Sequence, residues 1–398
     1  MPSTLPIGLK WPENNQVPAL DERERSFHAY VHVPFCVARC GYCDFNTYTS
    51  EELNGDLRSG FDQHLVNEIN QSSRVLETSG YPSRQLSTVF FGGGTPSLFS
   101  AAQFERVLHA LRDNFGIIPG AEITTEANPE STSAEWLEAL SKLGVTRLSM
   151  GVQSFDAKVL EVLERGHSKD HVRPLVQAAK DLGLEVSIDL IYGAPGEGLD
   201  SWKATLESAL ELGTDHISAY SLIVEPGTKL ERKIRRGEIP QTDEDLNAAK
   251  YELATQMLAS AGMAWYEVSN WGKPSRHNSA YWSSQDWWGY GPGAHSHLAG
   301  NRFWNQKHPT SYQASLATGL AVAGREQLSP RQQLEEMLML GLRTSEGVPR
   351  SLFRELNVEP AKVAKAISDG LLDFQGEHLV VSVKGRLIVD RMVLQFLS

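Results

Sequence analysis

Short apolar segments and longer amphipathic ones alternate along the first half of the chain. Six short segments, His28 to Val33, Ser87 to Gly92, Ala121 to Glu126, Thr146 to Gly151, Leu184 to Ile191 and Asp215 to Ser221, are rich in β-branched or aromatic residues and bounded by polar or glycine punctuation, as strands are. Helical spacing fills the intervals: Phe104, Leu108, Leu111 and Phe115 recur on one face, and Gly116 stands where a C-terminal glycine stop belongs. Ser100 with Gln103, and Thr132 with Glu135, have the spacing of capping boxes. Asp200 is placed to cap a further helix that buries Leu206, Ala209 and Leu210 and ends at Gly213. Six strand-helix repeats imply parallel strands joined by right-handed crossovers. The expected fold is therefore α/β, a partial (β/α)6 TIM-like barrel, three quarters of the closed form.

The pattern changes further on. A polar connection at Gly300 to Ser329 shows few regular apolar repeats, and a helix from Arg331 to Arg343 follows, carrying Leu334, Met337, Leu338 and Leu342. A second helix at Pro360 to Asp369 leads to the runs Leu371 to Phe374 and Leu379 to Val383, separated by Gln375-Gly376-Glu377-His378. Helices followed by a hairpin predict a small winged-helix-like α+β module. The parse is an N-terminal extension at 1–25, the barrel at 26–260, a connecting segment at 261–328 and the module at 329–398.

Composition narrows the class. A chain of 398 residues suits a barrel of about 200 to 250 residues plus a module. Its 41% hydrophobic content supports a large core, while its apolar runs fall well short of the roughly 18 residues of a membrane span. Met1 to Arg25 has no apolar stretch leading to a small-residue cleavage site, so no export signal is expected. The net charge of −12, from 37 basic and 49 acidic residues, disfavours a phosphate backbone as partner. The module is accordingly read as a lid or docking element, and the basic stretch Lys229 to Arg236 as a solvated helix face.

In such barrels chemistry sits where the strands end. Tyr30 and a cysteine loop follow the first strand, Gly92-Gly93-Gly94-Thr95-Pro96 the second, and Glu126-Ala-Asn128-Pro129 ends the third. Gln153-Ser154-Phe155 follows the fourth, the fifth contains Asp189 and leads to Tyr192-Gly193-Ala-Pro195-Gly196, and the sixth ends near Tyr220 and Ser221. All three cysteines lie in Cys36-Val-Ala-Arg-Cys40-Gly-Tyr-Cys43. Three thiolates cannot close a zinc tetrahedron unaided, and an odd, tight cluster is a poor disulfide framework. A four-iron cluster normally takes four cysteines, so three leave one iron open. The alternative is zinc completed by His32, His167 or His277. Reduced thiols fit the cytoplasm. The glycine triplet lets a backbone edge approach a bound amino acid, Glu126 suits ribose hydroxyls or an ammonium, and Gln153 and Arg165 suit a carboxylate.

The Cys-x3-Cys-x2-Cys spacing resembles that of radical S-adenosylmethionine (SAM) proteins. Together with His32-Val-Pro-Phe-Cys36, Gly92-Gly-Gly-Thr-Pro, Glu126-Ala-Asn-Pro, Gly151-Val-Gln-Ser-Phe-Asp156 and Asp189-Leu-Ile-Tyr-Gly-Ala-Pro-Gly196, it resembles the oxygen-independent coproporphyrinogen III oxidase family over most of the chain. The resemblance implies a radical SAM barrel in which Cys36, Cys40 and Cys43 bind a [4Fe-4S] cluster and SAM chelates the open iron. It places Tyr30, Tyr42, Gly93, Gly94, Thr95, Glu126, Gln153, Arg165 and Asp189 on or near SAM.

That family contains two jobs. The oxidase branch carries a further cysteine two residues after the third ligand and a longer N-terminal extension; here the position is Phe45 and the segment before Tyr30 is short. His277-Asn278-Ser-Ala-Tyr281-Trp282 is similar to the signature of the heme chaperone (HemW) subfamily, which implies heme binding and transfer rather than catalysis. The alternative is radical SAM oxidative decarboxylation of coproporphyrinogen III to protoporphyrinogen IX; a third is radical chemistry on an unrelated small substrate. In the chaperone reading His277 offers an axial imidazole, Asn278, Tyr281 and Trp282 surround the heme, and His277 and Tyr281 share a face if the stretch is helical. A satisfied core histidine is the plain alternative. Trp287-Trp288-Gly-Tyr290-Gly-Pro-Gly-Ala-His295-Ser-His297 adds aromatic surface and a flexible loop, His295 and His297 compete as axial donors, and Lys229 to Arg236 offers cations to the propionates. Expected partners are heme, heme-acceptor proteins including membrane-bound ones touched peripherally, and a second copy in a homodimer; nucleic acid is not expected.

Overall fold

The computed structural model describes residues 8–18, 23–53, 55 and 57–398. All six predicted strands are present: β1 (Phe27–Val33), β2 (Leu86–Gly93), β3 (Ile117–Ala127), β4 (Arg147–Gln153), β5 (Glu185–Tyr192) and β6 (His216–Ser221). They pair in chain order and in parallel, so their carboxyl ends share one side of the sheet. Each strand alternates. Val31, Phe91, Leu148, Met150, Ile188, Leu190 and Ile217 face outward into cores built with the helices Phe61–Thr78, Ala101–Phe115, Lys169–Asp181 and Leu199–Leu210. The intervening residues face inward and are mostly polar: Tyr30, Glu126, Ser149, Asp189 and Ser218 all line one interior cavity. The concave face therefore cannot close on itself as a dry core.

The segment after β6 departs from the expected connection. It supplies β7 (Trp265–Glu267), β8 (Asn270–Gly272), β9 (Asp286–Tyr290), β10 (His295–Leu298), β11 (Asn301–Asn305) and β12 (Val322–Gln327), together with the helices Arg276–Trp282 and Pro309–Leu316. These extend the sheet to the order β12-β11-β10-β9-β1-β2-β3-β4-β5-β6-β8-β7, which stays open. Trp287-Trp288-Gly-Tyr290 is thus a seventh parallel strand paired with β1, and of the aromatic surface expected there Trp288 and Tyr290 are buried in the core. The stretch is only five residues long and includes Asp286 and Gly289, which offset the strand preference of its aromatic residues.

Two caps also move. Ser133 rather than Thr132 accepts from the Trp136 N–H, and the helix Leu199–Leu210 starts at Gly198, leaving Asp200 in its first turn. The capping box at Ser100 and the positive φ of Gly116 are as expected. Of the extension at 1–25, residues 1–7 and 19–22 lie outside the described residues; Leu9 bridges Arg325 beside β12.

The C-terminal part packs its own core of Leu338, Leu342, Leu352, Phe353, Leu379, Val393 and Phe396. The helix Pro330–Gly341 leads to β13 (Val348–Pro349), the helices Arg350–Glu355 and Pro360–Ser368 follow, and β14 (Leu372–Gln375) and β15 (His378–Val381) complete a sheet of order β13-β15-β14 before a final helix Val389–Leu397. Among the described residues no helix is long and apolar enough to cross a membrane.

One buried ion pair ties the loop after β5 to the helix Glu244–Ser260. Lys250 Nζ lies 2.9 Å from Glu197 Oε2, and both side chains are almost wholly inaccessible. The same Glu197 oxygen accepts the Gly193 N–H at 2.7 Å. Lys250→Met leaves the carboxyl without its cation and should cost about 3 to 5 kcal/mol, read as a lower urea midpoint, whereas adding Glu197→Leu should recover most of the loss. Equal destabilisation by the single and double variants would show that the pair does not act as a unit.

Candidate functional site

The strand ends converge on a cavity of about 740 Å³. At its mouth the cysteine loop leaves β1 and is clamped at its base, where Tyr48 N–H donates to Pro34 O at 2.7 Å and Cys36 N–H to Tyr48 O at 3.0 Å. A turn from Cys40 O to Cys43 N–H folds the loop, and the Leu230 N–H holds Gly41 O at 2.8 Å. The glycine triplet then packs against this loop. Gly94 N–H donates to Val33 O at 2.8 Å, and a Cβ on Gly94 would lie 2.6 Å from Phe35 O. Gly93 has φ +114, and its Cβ would strike the His32 ring at 2.5 Å. The glycines are demanded first by protein packing; the backbone they bare still faces the cavity.

Thr95 links loop to strand end, its hydroxyl 3.6 Å from Cys36 Sγ. Asn128 donates to the Thr95 hydroxyl at 3.2 Å and accepts from Arg165 Nη2 at 3.0 Å. Arg165 also donates to Gly151 O (2.9 Å) and pairs with Glu130 (3.1 Å). Burial opposes ionisation of Glu130, yet the hydrogen bond from His167 and the charge of Arg165 hold it at about 2. Gln153 ends β4 with φ 65, a left-handed conformation unusual for a residue with a Cβ. Burial pushes the Cys36 thiol up and Cys43 to about 11, so metal binding must release protons.

Deeper in, Glu126 accepts the Gly93 N–H at 3.0 Å, and burial followed by the neighbouring Asp189 raises it to about 8. Asp189 is held by the hydroxyls of Ser149 (2.9 Å) and Ser218 (2.6 Å). Ser187, His216 and Tyr266 form a further relay on the wall, with Ser187 Oγ 2.6 Å from His216 Nδ1 and His216 Nε2 2.9 Å from Tyr266 OH.

The donor set fits an iron-sulfur cluster with one open iron better than zinc. Each histidine that would complete a tetrahedron is engaged at both ring nitrogens: His32 by Tyr30 OH and Asn46 O, His167 by Glu130 and Val152 O, His277 by Thr88 Oγ1 and Tyr281 OH. The cradle beside the thiols also suits an amino-acid cofactor, because bare backbone at Gly93 and Gly94 and the carboxyl of Glu126 face the same space.

The cluster cysteines, the nine cofactor residues, His277, Asn278 and Tyr281 line this cavity, whereas Trp282, His295 and His297 do not. Helix Arg276–Trp282 does place His277 and Tyr281 on one face, 2.8 Å apart, with His277 stacked on Phe90. Asn278 lies beside them and hydrogen-bonds Glu267. Trp282 points the other way, into a second cavity of about 410 Å³ shared with Met337, Val348 and Leu352. His295 and His297 sit on β10 outside the main cavity, His295 stacked on Trp304 and His297 tilted against Trp287. The basic stretch is the helix Lys229–Arg235; Lys229 and Lys233 both pair with Glu164, Arg235 with Glu231 and Arg236 with Glu238. Sequence reasoning missed Arg147, Ser149, Ser187, His216 and Ser218 as lining residues. Their signal was a polar residue at every second position of β4, β5 and β6.

Residues 30–209 match the Radical SAM superfamily, and residues 328–388 match the HemN C-terminal domain. The chain is 43% identical to the heme chaperone HemW of Mycobacterium tuberculosis, over 92% of this chain and 94% of that one. It is 32% identical to the heme chaperone HemW of Bacillus subtilis, over 93% and 99%. It is also 33% identical to the mitochondrial radical S-adenosyl methionine domain-containing protein 1 of Bos taurus, over 93% and 87%. Among solved structures it is similar to the coproporphyrinogen III oxidase HemN of Escherichia coli, with a TM-score of 0.80 and 24% identity over 94% of this chain and 90% of that one, a likeness of fold.

The raised Glu126 sets a pH dependence. Between its ordinary 4.5 and about 8 the folded chain holds a proton that the unfolded chain has released, so stability falls as pH rises through that window. Glu68 and Glu267, both raised to about 7 by burial, act in the same direction. The Tm of cluster-free protein should therefore decline with pH across this range, and less steeply in Glu126→Gln. Parallel curves for the two proteins would remove Glu126 from the effect.

Proposed function

The chain belongs to the HemW family of radical SAM proteins, and we propose that it binds heme and hands it to acceptor proteins. The observation that carries this reading is the identity of its relatives: chains at 32 to 43% identity, matched nearly end to end, are named heme chaperones, while the oxidase shares the fold at 24%. Phe45 supports it, standing where the oxidase branch has a further cysteine.

In this reading Cys36, Cys40 and Cys43 hold the [4Fe-4S] cluster, with the Thr95 hydroxyl donating to the Cys36 sulfur. When bound, the cluster would supply a redox-active iron site to which SAM can bind. Gly93 and Gly94 present backbone to that cofactor, Tyr30, Tyr42, Glu126 and Gln153 border it, and Arg165 orients Asn128 and the β4 end. Asp189, fixed by two serine hydroxyls, shapes the floor. His277, Asn278 and Tyr281 form the far wall. The barrel at 26–260 is the cofactor unit and the module at 329–398 a docking or lid element. The protein works in the reducing cytoplasm, where the thiols stay available, and its acceptors include membrane-bound proteins touched peripherally.

Anaerobically reconstituted protein should bind hemin stoichiometrically, show a cluster absorption perturbed by SAM, and leave coproporphyrinogen III unconverted. Cys36→Ser should abolish the cluster signal. Decarboxylated product at multiple turnover would reject the chaperone reading in favour of the oxidase.

A further inference from the structure

Several large hydrophobic side chains stand in water around one opening. Phe45 is 64% exposed, Ile223 67% and Tyr220 44%, all bordering the cavity, and Val37, 74% exposed, lies in the chain between the lining residues Cys36 and Ala38. Isolated exposed hydrophobics need no explanation, but a group gathered at a cofactor opening marks a binding surface. The cysteine loop that carries two of them, Val37 and Phe45, is not loose, since it is clamped to β1 and to the helix Lys229–Arg235.

The chemistry of the rim is also polarised. Arg39 lines the mouth, pairs with Glu52 at 3.1 Å, and has a buried Nε–H with no acceptor among the described residues. Asp44 and Glu225 border the same opening. A flat apolar molecule with an acidic edge would thus be drawn to Arg39 and repelled from the two carboxylates. The interior offers less: both ring nitrogens of His277 are taken, and Trp282 faces a different cavity.

Resting on the heme-chaperone reading, we propose that the rim formed by Val37, Phe45, Tyr220 and Ile223 is the face on which heme docks, with Arg39 receiving a propionate. The macrocycle lies across the mouth, over the cluster loop, and leaves the interior to SAM. Such a position suits a carrier, because an acceptor can reach an exposed ring edge without the barrel opening.

The test is hemin titration of full-length, anaerobically reconstituted protein by Soret absorption, alongside cluster absorption and its response to SAM. Phe45→Glu and Ile223→Glu should each raise the hemin Kd about tenfold or more, with cluster, SAM response and Tm retained. Leu394→Glu, at a 70% exposed site on the last helix, should bind as the parent does. The parent should prefer hemin to its dimethyl ester, and Arg39→Gln should bind both alike. Parent-like affinity in both rim variants overturns the proposal. So does hemin loss that merely follows cluster loss, or a rim change that alters only the oligomeric state. Parent protein that binds no hemin takes the chaperone reading down as well, which separates the two failures.

Discussion

The register of β1 against β2 decides where everything else in the site can lie. Val33 sits opposite Gly93, and the next amide along, Gly94 N–H, donates back to Val33 O. With no Cβ on either glycine, the cysteine loop can leave β1 at contact distance from the end of β2. From there the contacts pass strand by strand: Cys36 to Thr95, Thr95 to Asn128, Asn128 to Arg165, and Arg165 to the carbonyl of Gly151. One strand end thus fixes the next, and the sulfurs are placed relative to β4 although they are more than a hundred residues away in sequence. Parallel pairing makes this possible, since it delivers every carboxyl end to the same side.

The same arrangement leaves an interior that must be paid for elsewhere. Two carboxyls, Glu126 and Asp189, face each other's field in a poorly hydrated space, and burial raises both. Serine hydroxyls satisfy Asp189, while Glu126 has one backbone donor. Such a lining destabilises the empty protein relative to a barrel filled with valine and isoleucine. The outer cores offset it: Phe91, Phe104, Leu108 and Leu111 on one flank, and Met150, Ile188, Trp202 and Leu206 on the other, are fully buried. Stability lives in the outer layer and chemistry in the inner one.

That division explains what could be read from the residues alone. The six barrel strands were readable because their outward positions are consistently apolar and their ends carry glycine, proline or cysteine. Strands β7 to β12 were not, because each runs only three to six residues and several bear histidine, asparagine or glycine; their pairing comes from neighbouring strands rather than from propensity. The final helix, with Val389, Met392, Val393 and Phe396 at helical spacing, was within reach of the period rule and passed over. The cysteines were legible from their spacing and Glu126 and Gln153 from the strand ends, while the wider cofactor set followed from the family resemblance. The deeper wall, Arg147, Ser187 and His216, was missed because strand ends alone were searched, although the alternation along the strands marks it.

The His277 to Trp282 signature shows why a motif and a ligand set need not coincide. Its four marked residues lie on one short helix, yet that helix forms a partition. His277 and Tyr281 face the main cavity, Asn278 reaches Glu267, and Trp282 enters the second cavity against the C-terminal module. Glu267 also accepts from Asn270, and its strand bridges Thr344 at the module's edge. The helix itself is anchored by Glu122, whose carboxylate takes the amides of Arg276 and His277 at the helix N-terminus, a favourable place for negative charge. Every marked side chain therefore has a packing task that joins interior, sheet edge and module. A motif can identify a subfamily through such a junction, by fixing how the module sits against the barrel.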